Sequence, residues 1–278
     1  MIHGAGDRFG AAIAVGEAGG PLAAGPIADL LIGAPGSSID SKGSAYLVFG
    51  RTDFGRSIRE IDIARASDFT ITGGIKNRLG ASVAIGDFNG DGVGDLFAGA
   101  PAVDRPLRSD LGGTSIVPAG STGAVLGLLS PFAAGGSINV GSTARLLSFY
   151  GSNSNHRFGQ TIAMGDVTGD AISDLVIAAP EASGEWKDPG TGLIYNMGAH
   201  AGAAYVFAGA RGVSPGRIDI AAGDQLTAFV GLGSGWTGFA LSIGSYNVEG
   251  NADSIADLII GIPGGVRNPV RNVGGGGV

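Results

Sequence analysis

Leu79-Gly80-Ala81-Ser82-Val83-Ala84-Ile85-Gly86-Asp87-Phe88-Asn89-Gly90-Asp91-Gly92-Val93-Gly94-Asp95-Leu96-Phe97-Ala98-Gly99-Ala100-Pro101 is the stretch on which the reading of this chain turns. An apolar run ends at Ile85, a polar loop broken by glycine follows, and a second apolar run closes on Gly-Ala-Pro. Two short runs joined by turn residues read as a pair of antiparallel strands. The Pro, which has no N–H to donate, ends the pairing of the second strand.

The same pattern recurs three more times. It runs from Phe9-Gly10 to Gly33-Ala34-Pro35, from Phe158-Gly159 to Ala178-Ala179-Pro180, and more weakly from Thr237-Gly238 to Gly261-Ile262-Pro263. In every copy an Asp (Asp29, Asp95, Asp174 and Asp257) stands six residues before the Pro. Starts at 9, 79, 158 and 237 give periods of 70, 79 and 79 residues, each with room for four strands. Third strands read at 43–49, 123–126 and 202–207, and fourth strands at 69–73, 145–150 and 226–230. The expected fold is all-β: a β-propeller of four-stranded antiparallel blades at 9–78, 79–157 and 158–236, with an incomplete blade at 237–278.

These residues resemble the FG-GAP repeat, named for Phe-Gly and Gly-Ala-Pro, which builds the β-propeller of integrin α chains and of many bacterial surface proteins. The second copy departs from the pattern at Leu79. Such propellers usually have seven blades, so the resemblance implies that residues 1–278 supply about three and a half of them, with the remaining blades expected from a missing part of the chain.

Composition agrees with this reading. Gly makes up 54 of 278 residues, against an ordinary share of roughly 7%, yet there is no collagen period, and 44% hydrophobic residues are too many for a disordered chain. The net charge of −7, without any Lys/Arg cluster, argues against nucleic acid as a partner. Cysteine is absent, which removes disulfides and thiolate metal sites. The uncharged stretch 111–144 is long enough to span a bilayer, but its Gly and Pro content reads as two strands and their turns instead of a transmembrane segment.

The loop of the second copy places oxygen-bearing side chains at positions 1, 3, 5 and 9: Asp87, Asn89, Asp91 and Asp95, with the Val93 carbonyl at position 7. Alternating residues of a tight turn point into one concavity, and an all-oxygen set suits a hard cation. The third copy offers Asp166, Thr168, Asp170, the Ile172 carbonyl and Asp174. After an insertion, the fourth offers Glu249, Asn251, Asp253, the Ile255 carbonyl and Asp257. In the first copy, counting back from Asp29 meets no acid. The matching loops of integrin propellers bind calcium, so the resemblance implies Ca²⁺ as cofactor at the second and third loops, with the fourth as a further site. The alternative for each loop is an Asx-turn with solvated carboxylates.

Connections between second and third strands fall at the opposite end of a meander from these loops. Two of them are long and carry Asp104, Arg105, Arg108, Asp110, Trp186, Lys187 and Tyr195, a mixture suited to a protein or surface-glycan partner, or simply tolerated insertions. Gly233-Ser234-Gly235-Trp236-Thr237-Gly238 fits a dinucleotide-binding pattern, but no helix follows it, and it reads as a blade junction. His3, His156 and His200 have no recurring nucleophile or acid beside them and read as surface or turn residues. The expected role is calcium-dependent extracellular or cell-surface adhesion or protein interaction, without catalysis of its own. The alternative is a non-catalytic propeller module of a larger secreted hydrolase of phospholipase type, or of a carbohydrate-binding protein.

Overall fold

The computed structural model describes residues 7–19, 27–36, 42–54, 62–63, 67–74, 76–103, 122–132, 135–140, 146–152, 155–187, 191–220, 225–231, 233–245 and 255–264. Among the described residues there are eighteen strands: β1 (Ala12–Gly16), β2 (Asp29–Ala34), β3 (Ser44–Val48), β4 (Phe69–Thr72), β5 (Ser82–Gly86), β6 (Asp95–Ala100), β7 (Ala124–Leu128), β8 (Gly136–Asn139), β9 (Leu146–Tyr150), β10 (Thr161–Gly165), β11 (Asp174–Ala179), β12 (Gly184–Lys187), β13 (Ile194–Gly198), β14 (Ala203–Phe207), β15 (Gly216–Asp219), β16 (Thr227–Val230), β17 (Ala240–Gly244) and β18 (Asp257–Gly261).

The strands pair as the repeat predicts. β1-β2-β3-β4, β5-β6-β7-β9 and β10-β11-β14-β16 are antiparallel meanders, and β17-β18 begins a fourth. In each, the recurring Asp opens the second strand opposite a Gly: Asp29 on Gly16, Asp95 on Gly86, Asp174 on Gly165 and Asp257 on Gly244. β7 and β8 lie in the uncharged stretch, as strands and not a helix. Among the described residues no helix is long and apolar enough to cross a membrane.

Two features go beyond the predicted four-stranded antiparallel blade. β8, from the second blade, pairs in parallel with β4 of the first; β15, from the third, pairs in parallel with β9 of the second. The first two sheets therefore have five strands, the last donated by the next blade. The long connection of the third blade also forms its own hairpin, β12-β13.

The hydrophobic core lies between the sheets, because both faces of each second strand are apolar. Leu96, Ala98 and Ala100 pack toward the first blade with Leu31, Leu47 and Ile71. Phe97 points the other way and joins Phe149, Phe158, Ile177 and Phe207 between second and third blades. Val176, Ala178 and Val206 meet Leu241, Ile243 and Leu258 between third and fourth. The backbones approach so closely that a methyl group at Gly99 would overlap the Gly159 carbonyl oxygen, and one at Gly33 that of Gly80. Those two turn glycines adopt φ of +84° and +87°, a conformation L side chains resist. The same position in the first copy, Gly10, is open.

Candidate metal centre

Each acidic loop is a tight turn that brings backbone N–H groups onto its own carboxylates. In the second blade, Asp87 accepts from the N–H groups of Asp91 (3.0 Å) and Gly92 (2.8 Å), and Asp91 Oδ1 accepts from Val93 N–H (2.8 Å). Asn89 Oδ1 accepts from Asp91 N–H (2.9 Å). The third blade repeats this: Asp166 accepts from Gly169 (2.6 Å), Asp170 (3.1 Å) and Ala171 (2.7 Å), and Asp170 from Ile172 (2.9 Å). Residue 6 of the loop has positive φ in both, Gly92 at +87° and Ala171 at +67°. The departure from Gly thus leaves the turn unchanged, at a strain of about 1 kcal/mol.

The Asp at position 9 has a second task. Asp95 Oδ2 accepts from Phe88 and Asn89 N–H (3.0 and 3.2 Å), while Oδ1 accepts from Ser130 N–H (2.8 Å) beyond the third strand. Asp174 does the same with Val167, Thr168 and Gly209. Asp29, whose loop carries no other acid in the pattern, still ties Ala18 N–H to Gly50 N–H, both at 2.7 Å. All three are buried. This Asp therefore staples the first-to-second-strand loop to the end of the third strand, with or without a cation site. Its recurrence as Asp29, in a first loop whose only other acid is Glu17, is the sequence signal for that task.

Burial pushes the Asp95 carboxyl up to about 6, against the pull of Ser130, Phe88 and Asn89, with the neighbouring Asp91 charge adding to the rise. Burial likewise raises Asp174. At exposed Asp91, slight burial works upward, but hydrogen bonds from Val93, Asn89 and Ser130 outweigh it and hold the carboxyl below its usual value.

The following blade buttresses the second loop. Ala210 and Gly212 N–H donate to the carbonyls of Phe88 and Asn89, and the Arg211 guanidinium to that of Gly90 (3.2 Å). Ser173 N–H donates to the Asp87 carbonyl (2.9 Å), and Ala256 N–H to that of Asp166 (2.8 Å). Asp87, Asn89, Asp91, Val93 and Asp95 thus share one turn, as do Asp166, Thr168, Asp170, Ile172 and Asp174. In the fourth blade Ile255 and Asp257 are exposed, and Glu249, Asn251 and Asp253 lie outside the described residues.

The donor set is oxygen throughout and fits a hard cation by its chemistry. Among the described residues no three His, Asp or Glu side chains converge as they would around an ion. The loop carboxylates lie instead on the N–H groups named above. A carboxylate offers about four acceptor sites, so these bonds leave lone pairs for a cation.

Of the expected partner-facing residues, Trp186, Lys187 and Tyr195 lie on the β12-β13 hairpin, with the two rings 5.6 Å apart. The hairpin follows β11 and so sits at the other end of that strand from the acidic loop. Leu193 and Ile194, at its turn, are exposed. Asp104, Arg105, Arg108, Asp110 and His3 lie outside the described residues. His156 corrects the surface reading: it is buried, its Nε2 accepts from Ser183 N–H (3.3 Å), and burial lowers its pKa. His200 stacks on Trp236 at 5.2 Å. The dinucleotide-like segment is a junction, with Thr237 bridged to Gly202 and a strand following it.

The sheets and their glycine junctions define an all-β assembly of repeated blades. Two of the blades carry matches to the FG-GAP repeat: that family model matches residues 79–126, in the second blade, and 158–207, in the third. The chain is 32% identical over 166 residues to phosphatidylinositol-glycan-specific phospholipase D of Bos taurus and 31% to that of Homo sapiens, in each case 58% of this chain and 18% of the relative. It is 31% identical over 102 residues to integrin alpha-V of Gallus gallus, 37% of this chain and 7% of that protein. The matched region thus spans under one fifth of the length of these relatives.

Proposed function

We propose that the chain is a calcium-binding FG-GAP propeller module for extracellular adhesion or protein interaction, without catalysis of its own. The observation that carries this reading is the shared architecture of the second and third loops. With different side chains at positions 3 and 6, both loops keep the N–H groups of residues 5 and 6 on position 1, of residue 7 on position 5 and of residues 2 and 3 on position 9, and the third loop adds residue 4 on position 1. Ca²⁺ is held by Asp87, Asn89, Asp91, Val93 and Asp95, and by Asp166, Thr168, Asp170, Ile172 and Asp174; Glu249, Asn251, Asp253, Ile255 and Asp257 form a third site. Three ions would neutralise most of the net charge of −7.

Loops of this kind in extracellular modules bind with dissociation constants of about 10⁻⁴ to 10⁻³ M, which suits an extracellular setting. The partner, a protein or a surface glycan, is met at the opposite ends of the blades, where the β12-β13 hairpin presents Leu193, Ile194 and Lys187. A second reading, a non-catalytic module of a larger secreted hydrolase, is favoured by the similarity to the phospholipase, and the two share the same chemistry in this chain.

Calorimetric titration and thermal melting in EDTA against millimolar Ca²⁺ test the metal. At 5 mM, each site stabilises the fold by about 1–2 kcal/mol. Asp87→Asn and Asp166→Asn each remove one site from the titration. A folded chain that gives no heat and no shift in melting temperature refutes the reading and leaves the loops as Asx-turns.

A further inference from the structure

The first strands of neighbouring blades pack side by side, with Ile85 of β5 over Gly16 of β1, Met164 of β10 over Gly86 of β5 and Ile243 of β17 over Gly165 of β10. Residues that stand just before these strands are therefore gathered at one end of the blades, the end away from the acidic loops. The residue before the Phe-Gly or Leu-Gly pair is an arginine in three successive blades: Arg8, Arg78 and Arg157. The bridges Gly43–Leu79 and Gly123–Phe158 fix the residues that follow Arg78 and Arg157 to the preceding third strands.

All three arginines take the left-handed backbone conformation, with φ of +52°, +52° and +53°. That conformation costs an L side chain about 1 kcal/mol, which glycine would avoid. Nor does the turn require arginine, since Trp236 takes the same place in the fourth blade at φ +58° and stacks on His200. What the three positions share is charge.

That charge is only partly matched. Arg157 Nε donates to Glu181 (3.1 Å), which leaves its terminal nitrogens for other acceptors. Among the described residues neither Arg8 nor Arg78 has a carboxylate partner. Arg78, in the middle blade, is half-buried, and burial followed by the charges of Arg8 and Arg157 lowers its pKa. The three lysines of the chain, Lys42, Lys76 and Lys187, lie on connections at the same end. The described carboxylates of the segments that carry these cations are Asp7, Glu181 and Glu185.

We propose that Arg8, Arg78 and Arg157 form a binding site for a polyanion that presents closely spaced sulfate or phosphate groups. A guanidinium pairs with such an oxyanion through two parallel N–H bonds, a geometry that a lysine ammonium cannot supply. A chain of net charge −7 has no general attraction for a polyanion, so binding rests on this cluster. The ligand supplies the missing counter-charge, and its affinity falls as salt rises. The site lies at the other end of the first strands from Asp87 and Asp166, and it depends neither on calcium nor on the adhesive role proposed above.

Calorimetric titration of the folded chain in EDTA at low salt, with sucrose octasulfate and with inorganic tripolyphosphate as probes, tests the site. Both should bind, each more weakly as salt is added, and sucrose itself should not. Tighter binding of the octasulfate assigns the site to a sulfated glycan, and tighter binding of tripolyphosphate to a phosphorylated ligand. Arg78→Gln should weaken binding about tenfold or more, and Arg157→Gln less, because Glu181 already holds part of that guanidinium. Arg211→Gln, the same change of charge at the acidic-loop end, should leave affinity unchanged. Arg78→Lys keeps the charge without the fork and should fall between, which keeps the position testable if Arg78→Gln does not fold. Without ligand, Arg78→Gln should melt no lower than wild type, because a repelling charge is gone. A folded wild type that binds neither probe, equal losses in Arg78→Gln and Arg211→Gln, or tighter binding of an oligoglutamate peptide than of either probe overturns the proposal.

Discussion

Phe149 and Phe229 occupy the same place in the repeat, the next-to-last residue of the fourth strand, paired with Val125 and Ala204 of the third, and should respond very differently to the same substitution. Phe149 is fully buried, and its ring meets Phe207 of the following blade at 4.9 Å, edge-on, and Phe88 and Phe97 of its own blade at 5.9 and 6.2 Å. Phe229 is 42% exposed. Phe149→Ala deletes a ring from a packed junction and leaves a cavity, at a cost of about 3–5 kcal/mol. For a chain of this size that corresponds to a fall in Tm of roughly 6–20 °C. Phe229→Ala gives up about half of a buried side chain's transfer energy without enclosing a cavity, about 1 kcal/mol. Urea denaturation and thermal melting of both variants by far-UV circular dichroism measure the difference. Equal costs, or a loss below about 2 kcal/mol at Phe149, would refute the placement of the core between the sheets.

Three further outcomes are expected. Asp29→Ala strands the buried N–H groups of Ala18 and Gly50 and should cost about 2–4 kcal/mol, the same in EDTA as in Ca²⁺; a calcium-dependent loss would contradict its role as a staple. Gly99→Ala forces a methyl group into the Gly159 carbonyl and should cost about 1–3 kcal/mol by urea denaturation, whereas Gly261→Ala, at the same position in the fourth blade, should be nearly neutral to folding. His156 is kept neutral by burial, so its folded pKa lies below the unfolded value. The unfolded chain then binds the extra proton first, and stability falls as pH drops from about 6.5 through the folded pKa. Raised Asp95 acts in the opposite direction between about 6 and 4, so the His156 contribution is read as the difference between wild type and His156→Gln; identical pH slopes would remove it.

Much of the fold was legible because the repeat fixes strand pairs whose partners are near in sequence. Asp29, Asp95 and Asp174 mark where second strands begin, and the strands stand where the apolar runs put them. The parallel pairing of β8 and β15 with the preceding blade was not legible. Gly136–Asn139 and Gly216–Asp219 are four-residue segments with one Ile each, too short for a period, and their partners β4 and β9 lie a whole blade away. The burial of His156 was hidden for a similar reason, since Ser183 belongs to a connection that folds back from beyond the second strand. At the site, the spacing of acids placed Asp87 and Asp166 in equivalent turns. It did not show that position 9 is held from both oxygens, because Ser130 and Gly209 reach it from 35 residues away.

The donated strands impose a direction on how the molecule comes into being. β4 ends at Thr72, and its outer edge is covered only by β8, which ends at Asn139. At a synthesis rate of roughly 5–20 residues per second, the first sheet leaves the ribosome with an open edge and waits on the order of 3–13 s for its last strand. β9 then waits in turn for β15. The first two blades are each finished by their successor, so the growing chain carries a bare edge while it waits for each donated strand, the kind of surface that pairs with whatever extended polypeptide is nearby.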